Sequence, residues 1–343
     1  MAALLAVASY GAWRYKVQQP LSLPEQGLIF EIPRGVSVQR VAQDLHAAGV
    51  IDHPLWLRLY VRLHPEVSHV QAGEYKLDPG LTLPGLMSLF TSGRTVAYPI
   101  QFVEGWTFRD VRRELARHEK LAQLTVGLDA SEIMEKLGRA GEHPEGLFFP
   151  DTYYFHKGMS DLDVLEIALR RMDQVLEEEW GKRQENLPLK TPYQALILAS
   201  IIEKETGVPY ERPQISGVFV RRLQKGMRLQ TDPTVIYGLG ETYQGNLTRQ
   251  HLRQHTPYNT YRINGLPPTP IALAGREAIY AALNPAPGEE LFFVARGDGT
   301  HHFSATLKQH QEAVLKYQVR KRRADYRSSP LPPAVQSTTQ KQE

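Results

Sequence analysis

The chain has 343 residues, 42% of them hydrophobic, and a formal net charge of +3. At roughly 150 residues per domain, this length predicts two or three domains with sizeable cores. So small a net charge gives no reason to expect a nucleic-acid partner. There is no cysteine, which excludes disulfides, structural thiolate metal sites and a cysteine nucleophile.

The first segment, residues 1–16, is apolar up to Trp13 and basic at Arg14 and Lys16. A spanning helix needs about 20 apolar residues, and a signal peptide needs basic residues before its apolar stretch. We therefore interpret the segment as the latter, truncated part of a membrane anchor, with a frayed apolar tail as the alternative. Residues 17–27 are predicted to form a linker. Taken alone, the two basic residues favour a body on the cytoplasmic side.

Strand–turn–helix patterns recur between residues 28 and 120. Apolar stretches at 27–32 and 95–103 predict strands. Three glycine turns are each followed by an N-cap candidate for a short helix, namely Ser37, Thr82 and Thr107. Two interpretations of this part of the chain stay open, generic α/β packing and a small glycan-binding module.

The remainder of the chain predicts more helix than strand. Residues 121–190 are expected to be mostly helical, interrupted by an aromatic-rich stretch at 143–155, and two helices are expected in 191–226. Short strands are predicted at 265–273 and 290–297, followed by a last helix near 305–324. The polar, proline-rich tail at 325–343 predicts disorder. The fold class expected from these patterns is α+β.

The stretch "ASIIEKETG", residues 199–207, places a carboxylate at the end of an apolar helix. Thr191 and Pro192 predict the start of this helix, and Gly207 its end. Glu203 continues the face of Leu196 and Ala199, whereas Glu205 lies about 200° around the helix and is expected to point elsewhere. Burial and the helix C-terminus would both raise the pKa of Glu203. A carboxylic acid that keeps its proton near neutral pH can act as a general acid.

The alternative for Glu203 is a structural role. Its carboxylate can pair with an arginine such as Arg212 or with a backbone amide. Pairing with Lys204 is disfavoured within the helix, because adjacent side chains do not face each other. The residues alone leave both interpretations open.

Five stretches carry a resemblance to a known family. They are "EGLFFPDTYYF" (145–155), "ASIIEKETG" (199–207), "RLQKGMRLQTDPTVIYGLG" (222–240), "YNTYRINGLPPTPIALAG" (258–275) and "LFFVARGDGTHHFSATLKQH" (291–310). In these stretches the chain resembles the endolytic murein transglycosylases of the YceG-like (MltG) family. The resemblance implies a LysM-like subdomain at 28–100 and a catalytic domain at 101–324. It also implies a single-pass anchor in the bacterial inner membrane and a catalytic part in the periplasm, against the charge argument above.

The reaction implied by the resemblance is cleavage of the β-1,4 bond between N-acetylmuramic acid and N-acetylglucosamine without water. The family's catalytic glutamate corresponds to Glu203 on the matching stretch. It would protonate the leaving oxygen and then take the proton of the muramic C6 hydroxyl, which closes a 1,6-anhydro ring. Glu203→Gln is accordingly expected to fold and to lose cleavage. The implied partners are peptidoglycan strands, the cytoplasmic membrane and peptidoglycan synthases.

Several polar and aromatic residues in the matching stretches are candidates for sugar binding or for assistance. Gln230 and Thr231 offer amide and hydroxyl groups, while Tyr237, Tyr258 and Tyr261 offer rings around the amide of Asn259. A tyrosine-anchored loop is the alternative for the last three. The candidate helpers are Glu145, Asp151, Asp232 and His301, although Asp151 can simply cap a turn with Thr152 and Asp232 can be the N-cap of a short helix.

No metal or cofactor is expected. His251 and His255 have a helix-compatible ligand spacing, but the glutamate of the zinc-protease pattern is missing. Phosphate-binding, dinucleotide-binding and serine-hydrolase motifs are also missing. Two rival functions stay open beside the transglycosylase, a glycan-binding scaffold without activity and a muramidase that hydrolyses the same bond.

Overall fold

The structure is a computed structural model and describes residues 2–320, with side chains from residue 10 onward. The predicted disordered tail, residues 325–343, lies outside the described residues. Within them the chain forms two compact units. Unit 1 comprises residues 2–100, 118–123 and 154–160, and unit 2 comprises residues 101–117, 124–153 and 161–320. Helices and short strands occur together, so the predicted α+β composition is confirmed.

Unit 1 surrounds a two-stranded antiparallel sheet with helices. In chain order its elements are α1 (Ala2–Val17), β1 (Leu28–Ile32), α2 (Val38–Ala47), α3 (Pro54–Leu63), β2 (Gly73–Leu77) and α4 (Leu83–Ser92). Strand β1 pairs with β2, so that Phe30 lies opposite Tyr75. Both rings pack on Phe90 of α4, with centroids 6.0 and 4.9 Å away. This aromatic cluster lies within the buried core of the unit.

Strands β3 (Ala97–Gln101) and β4 (Thr152–His156) form a second two-stranded sheet. The boundary between the two units passes through both strands. The strand expected at 95–103 is therefore confirmed, with the shorter bounds of β3.

The helix starts predicted for this half of the chain are confirmed. Ser37 and Thr82 accept hydrogen bonds from the backbone N–H groups of Arg40 and Gly85 at the starts of α2 and α4. In unit 2, Thr107 and Asp110 form a reciprocal capping box at the start of the next helix. These bonds satisfy N–H groups that have no partner within the helix.

The segment predicted as a linker, residues 17–27, packs along unit 1. The backbone N–H of Leu21 donates to the carbonyl of Leu81 at 2.8 Å, and Leu21 and Leu23 lie against the unit's core. The predicted anchor forms α1, and within residues 2–320 no helix is both long and apolar enough to cross a membrane. The LysM-like character of this unit stays a prediction.

Unit 2 is mainly helical. Its elements, in chain order, are α5 (Phe108–Leu115), α6 (Ala130–Lys136), α7 (Asp161–Trp180), α8 (Pro192–Glu205), α9 (Arg212–Gln224), α10 (Asp232–Leu239), α11 (Arg249–Arg253), α12 (Arg276–Leu283), β5 (Phe292–Ala295), β6 (His301–Ser304) and α13 (Leu307–Val314). Short 3-10 segments lie at Pro209–Glu211 and Gly240–Thr242, and a π-helical turn at Leu315–Arg320 follows α13. Strands β5 and β6 are antiparallel, with Ala295 opposite His301.

Helix α8 is the centre of unit 2. Thr191 is its N-cap and accepts a hydrogen bond from the N–H of Gln194 at 3.2 Å, and Pro192 occupies the first turn, as predicted. All residues from 195 to 202 are buried, and α7, α9, α10 and α12 pack around them. The helix ends at Glu205, and Thr206 is already extended with φ −145° and ψ 135°. Gly207 directly follows this C-cap residue, which is the position of a helix-stopping glycine, so the predicted stop is confirmed.

The strand predicted at 265–273 is wrong. This segment forms no strand or helix, because the prolines at 267, 268 and 270 remove the backbone donors that a sheet needs. The strand predicted at 290–297 is confirmed as β5, and the last helix is confirmed from Leu307.

The cap of α8 yields a prediction about stability. Thr191→Ala removes the acceptor for the Gln194 amide and is expected to lower the free energy of unfolding by about 1 kcal/mol. Thr191→Ser keeps the hydroxyl and is the matched control, with little change expected. Urea unfolding followed by circular dichroism measures both values. Equal destabilisation by Ala and Ser would show that the hydroxyl does not cap α8 in solution.

Candidate active site

A cavity of about 630 Å³ lies within unit 2, beside the C-terminal end of α8. Its walls come from α8, the segment 229–233, Tyr261, strands β5 and β6, and α13. Polar lining groups include Glu205, Gln230, Thr231, Asp232 and His301, while Tyr261 and Phe292 add aromatic surface. A concave site with a few convergent polar groups among aromatic side chains is typical of ligand-binding pockets.

Glu205 is the acidic residue of α8 that lines this cavity. Its Oε1 accepts a short hydrogen bond from the Thr231 hydroxyl. Burial and, to a smaller extent, the nearby negative charge of Asp232 raise the pKa of Glu205 to about 7, against the opposing effect of the Thr231 bond. A glutamate in this state can hold a proton near neutral pH and release it to a ligand.

Glu203 has different surroundings and is not among the residues that line the cavity. Its side chain is 6% exposed and pairs with Arg212, whose Nη2 donates to Oε1 at 3.2 Å. The backbone N–H of Gly275 donates to Oε2 at 3.1 Å. Burial raises the pKa of Glu203, while the positive charge of Arg212 opposes this rise. The pairing with Arg212 and a backbone amide is the structural alternative that the sequence left open.

The segment before α10 carries two of the predicted sugar-binding residues. Gln230 is exposed and has a left-handed φ of 52°, a conformation that costs a non-glycine residue roughly 1 kcal/mol or more. Its backbone N–H donates to the carbonyl of Thr260, and that of Thr231 donates to the Thr260 hydroxyl. These bonds fix the segment and direct the Thr231 hydroxyl at Glu205. Thr231 is 2% exposed. Its hydroxyl therefore supports the Glu205 carboxyl.

Asp232 and Tyr261 form a pair at the edge of the cavity. The Tyr261 hydroxyl donates to Oδ1 of Asp232 at 2.7 Å. Burial and this carboxylate both raise the pKa of Tyr261, so the phenol stays protonated. The predicted N-cap role of Asp232 is wrong: Thr231 holds the cap position, without a side-chain bond, and Asp232 is the first helical residue of α10. Its carboxylate remains exposed beside the cavity.

Tyr237 and Tyr258 lie in a second cluster, with Glu145, away from the cavity-lining residues. The Tyr237 hydroxyl donates to Glu145 at 3.1 Å, the two tyrosine rings meet edge to face at 4.9 Å, and Tyr258 bonds the Thr269 hydroxyl. Glu145 also accepts from the N–H of Phe108 at 2.9 Å. Burial raises the pKa of Glu145 to about 7. These hydrogen bonds link α5 to α10. Tyr237, Tyr258 and Glu145 therefore all have partners within the protein.

Asn259 is buried and its amide is engaged within the loop, and the sugar-binding role predicted for it stays a prediction. Its Nδ2 donates to the carbonyls of His251, Leu252 and Gln254, and its Oδ1 accepts from the N–H of Tyr261. Both amide hydrogens are used within the loop, and only 1% of the residue's surface is exposed. It closes the loop after α11, which is the tyrosine-anchored alternative.

Asp151 lies outside the cavity and has a local role. It is exposed, and its Oδ1 accepts a 2.7 Å hydrogen bond from the N–H of Thr152. This is the turn-capping alternative, so Asp151 gives no direct help to an acid on α8.

His301 lines the cavity. It has a partner, Glu211, that the sequence did not predict. Its ring nitrogen Nδ1 lies 2.8 Å from Oε2 of Glu211, and both side chains are at most 5% exposed. Glu211 precedes Arg212 in "YERP", a stretch with no periodicity or motif that marks it as functional. Among the described residues, no group of three or more histidine, aspartate or glutamate side chains could hold a metal ion.

The fold and the site define a two-unit α+β protein with a protonatable carboxyl on a polar and aromatic cavity. A model of the YceG-like family matches residues 30–316. The chain therefore belongs to the YceG-like family.

Two curated relatives and one solved structure are similar to the chain. The "Endolytic murein transglycosylase" of Bacillus subtilis (strain 168) is 33% identical over 304 residues, which cover 83% of each protein. The protein of the same name from Streptococcus pneumoniae serotype 2 (strain D39) is 24% identical, over 92% of this chain and 63% of the relative. A crystal structure of a yceG-like protein from Listeria monocytogenes aligns with a TM-score of 0.55 and 30% identity, over 84% of this chain and 99% of that one.

The raised pKa of Glu205 predicts a pH-dependent component of stability. An acid whose pKa rises from 4.5 to about 7 on folding stabilises the protein below pH 4.5, and this contribution is lost as the pH rises through 7. The full difference corresponds to roughly 3 kcal/mol. Glu205→Gln is expected to remove it, so the variant should lose less stability than the wild type between pH 5 and pH 8. Urea unfolding at several pH values measures this. The same pH dependence in both proteins would contradict the assigned pKa.

Proposed function

We propose that this protein is an endolytic lytic transglycosylase, a lyase that cuts peptidoglycan glycan strands internally. The bond cut is the β-1,4 link between N-acetylmuramic acid and N-acetylglucosamine, and the product is a 1,6-anhydro-muramic end. Family membership and the names of the curated relatives support this activity. The observation that carries it is the protonatable Glu205 on the polar and aromatic cavity.

The proposed acid is Glu205 rather than Glu203. Both carboxyls have a raised pKa, but their access to a ligand differs. The two oxygens of Glu203 are occupied by Arg212 and the Gly275 amide, and a guanidinium partner stabilises the ionised form. Glu205 has a hydroxyl partner and lines a cavity large enough for sugar units. The catalytic role predicted for Glu203 from the sequence is therefore transferred to its neighbour two residues later.

One carboxyl is sufficient for the reaction. Protonated Glu205 donates its proton to the glycosidic oxygen, the bond from that oxygen to C1 of the muramic residue breaks, and positive charge develops at C1. The resulting carboxylate then accepts the proton of the C6 hydroxyl, whose oxygen bonds to C1. The acid is restored and no water is consumed. Hydrolytic glycosidases instead need a second carboxylate roughly 5–10 Å away.

Because of Asp232, a hydrolase that cleaves the same bond remains the rival function. It lines the same cavity, and a second carboxylate near the acid can activate water. Its bond from Tyr261 and its effect on Glu205 are better explained by support of the protonated acid. The masses of the products distinguish the transglycosylase from the hydrolase, because anhydro ends are lighter than hydrolysed ends by one water. A binding scaffold gives no products at all.

The location and partners that we propose follow from the family's action on the cell wall. The apolar helix α1 would be the end of an inner-membrane anchor, and the two units would lie in the periplasm, near newly made strands. Unit 1 would be the LysM-like part that holds peptidoglycan, and peptidoglycan synthases would be the protein partners. The apolar stretch at 2–13 and the compact sheet-and-helix unit that follows it support this arrangement.

A matched pair of variants tests the acid. Glu205→Gln cannot donate an acid proton and is expected to lower the cleavage rate at least about a thousandfold, a typical scale for losing a general acid. Glu203→Gln alters the neighbouring carboxyl of the same helix and is expected to retain cleavage within about tenfold, while losing some stability with its ion pair. Mass analysis of released glycan fragments gives both the rates and the nature of the ends.

The opposite ranking would contradict the assignment. If Glu203→Gln abolished cleavage and Glu205→Gln did not, Glu203 would be the acid. Hydrolysed ends from the wild type would exclude a transglycosylase whichever residue is essential.

The pH dependence of the rate is a further prediction. Glu205 must be protonated to act, so its pKa of about 7 predicts a turnover rate that falls roughly tenfold per pH unit above about pH 7. Initial rates on purified glycan between pH 5 and pH 9 measure this limb. A rate that stayed constant up to pH 9 would mean that the group that donates the proton is not this carboxyl.

A further inference from the structure

His301, which lines the cavity, forms a buried pair with the carboxylate of Glu211. Glu211 and His301 are 2% and 6% exposed. Oε1 of Glu211 accepts a hydrogen bond from the backbone N–H of His301 at 2.8 Å, and Oε2 lies 2.8 Å from its ring Nδ1. The Thr206 hydroxyl also donates to Oε2, at 3.3 Å. Glu211 thus holds both the main chain and the ring of His301.

These contacts define which ring nitrogen carries the proton. Both oxygens of Glu211 accept hydrogen bonds, Oε1 from the His301 N–H and Oε2 from the Thr206 hydroxyl. The Nδ1 atom that faces Oε2 is therefore the donor in their contact and carries a hydrogen. In a neutral imidazole the other nitrogen, Nε2, is then an acceptor. The ring of Phe293 meets the His301 ring edge to face at 5.4 Å, which limits rotation of the imidazole.

The second nitrogen is the part of His301 that is left for a ligand. His301 lines the cavity that also contains Glu205, while its Nδ1 is engaged on Glu211. A polar atom that becomes buried beneath a ligand needs a hydrogen-bond partner. A neutral Nε2 can accept only from a donor, and a glycan offers hydroxyl groups and acetamido N–H groups as donors.

We propose that Glu211 is a positioning residue that fixes the Nδ1–H tautomer of His301, and that Nε2 of His301 binds a hydroxyl or acetamido N–H of a sugar unit in the cavity. The identity of the ligand rests on the proposed function, whereas the tautomer does not. The pair makes the subsite selective, because a group that can only accept hydrogen bonds would leave Nε2 without a partner. Glu205 provides the proton, and His301 holds the sugar on which it acts.

The tautomer is measured by NMR of the full chain labelled with nitrogen-15 at its 12 histidines. His301→Gln assigns the signals of this ring. The expected pattern for His301 is a protonated Nδ1 and an unprotonated Nε2. A protonated Nε2 in the free protein at pH 8 would overturn the proposal, because that atom could not then accept a hydrogen bond.

Ligand binding is measured on the same protein in the Glu205→Gln background, which should not cut the probe. The probe is a soluble peptidoglycan tetrasaccharide of alternating N-acetylglucosamine and N-acetylmuramic acid. Its addition is expected to shift the Nε2 signal of His301 while Nε2 stays unprotonated. Shifts of other cavity residues without a shift of His301 would overturn the subsite.

Kinetics separate positioning from a purely structural role. Glu211→Gln is close in shape, but its amide can donate to Nδ1 and so place the proton on Nε2. We expect KM to rise about tenfold to a hundredfold, the scale of one buried hydrogen bond, with a smaller change in kcat. Glu211→Asp keeps the charge and should restore part of the loss. His302→Gln, the next residue along β6, is the matched control and should leave KM unchanged.

The outcomes distinguish this inference from the proposed function. If Glu205→Gln still cut glycan, the acid would be misassigned, but the tautomer of His301 and its response to the probe would still be readable in a wild-type sample at low temperature. If Glu211→Gln did not fold, His301→Gln and the NMR pattern would still test the subsite. An unchanged KM in folded Glu211→Gln and His301→Gln proteins would contradict the proposal directly.

Discussion

The structure of unit 2 depends on the burial of the middle of helix α8, residues 195–202. All of its residues from 195 to 202 are enclosed by neighbouring helices. In the turn that follows, Lys204 is exposed, whereas both glutamate side chains are largely buried. An ionised carboxylate is costly to bury unless it is paired. The helix offers no relief, because its C-terminal end carries partial negative charge. The surroundings of each carboxyl therefore determine its protonation state, and these surroundings differ between the two residues.

The negative charge of Glu203 is compensated by its partners, whereas that of Glu205 is not compensated in the same way. A guanidinium and a backbone amide face Glu203, which favours its charged form. Glu205 faces the Thr231 hydroxyl and has Asp232 as a like-charged neighbour. Two carboxyls on the same helix turn thus have different partners, and differences of this kind separate acid and base roles in other active sites.

The sequence predicts much of this framework because the relevant signals are local. The caps at Ser37, Thr82, Thr107 and Thr191 depend on bonds within three residues, and all four helices start where expected. The prolines near residue 268 are also a local signal, and because they outweigh the apolar pattern, the expected strand does not form.

The choice between Glu203 and Glu205 could not be made from periodicity. Continuing the face of Leu196 and Ala199 would identify an inward direction only if other faces of α8 were exposed. Since the whole circumference is buried between residues 195 and 202, the apolar face marks no single inward direction there, and helical spacing says only that the two carboxyls diverge. What separates them comes from Arg212, Thr231 and Gly275, which reach the helix end through tertiary contacts. A single sequence contains no spacing that predicts such contacts.

Asn259 illustrates the same limit for binding residues. An amide between two tyrosines suits a sugar, yet here its donors satisfy three loop carbonyls. The chemistry of the side chain is identical in both roles, and only the location of unpaired backbone groups distinguishes them.

The end of α8 also explains how Glu205 and His301 come to line one cavity. Helical geometry stops at Glu205, and Thr206 is extended, so the two side chains depart in different directions from consecutive residues. The Glu205 carboxyl meets Thr231, and the Thr206 hydroxyl meets Glu211, which holds His301. Thr206 also accepts from the N–H of Val208 at 3.0 Å, which fixes the turn that brings Glu211 back. A displacement of the helix end would therefore move the acid and the histidine support together, so the packing of α8 sets the geometry of both.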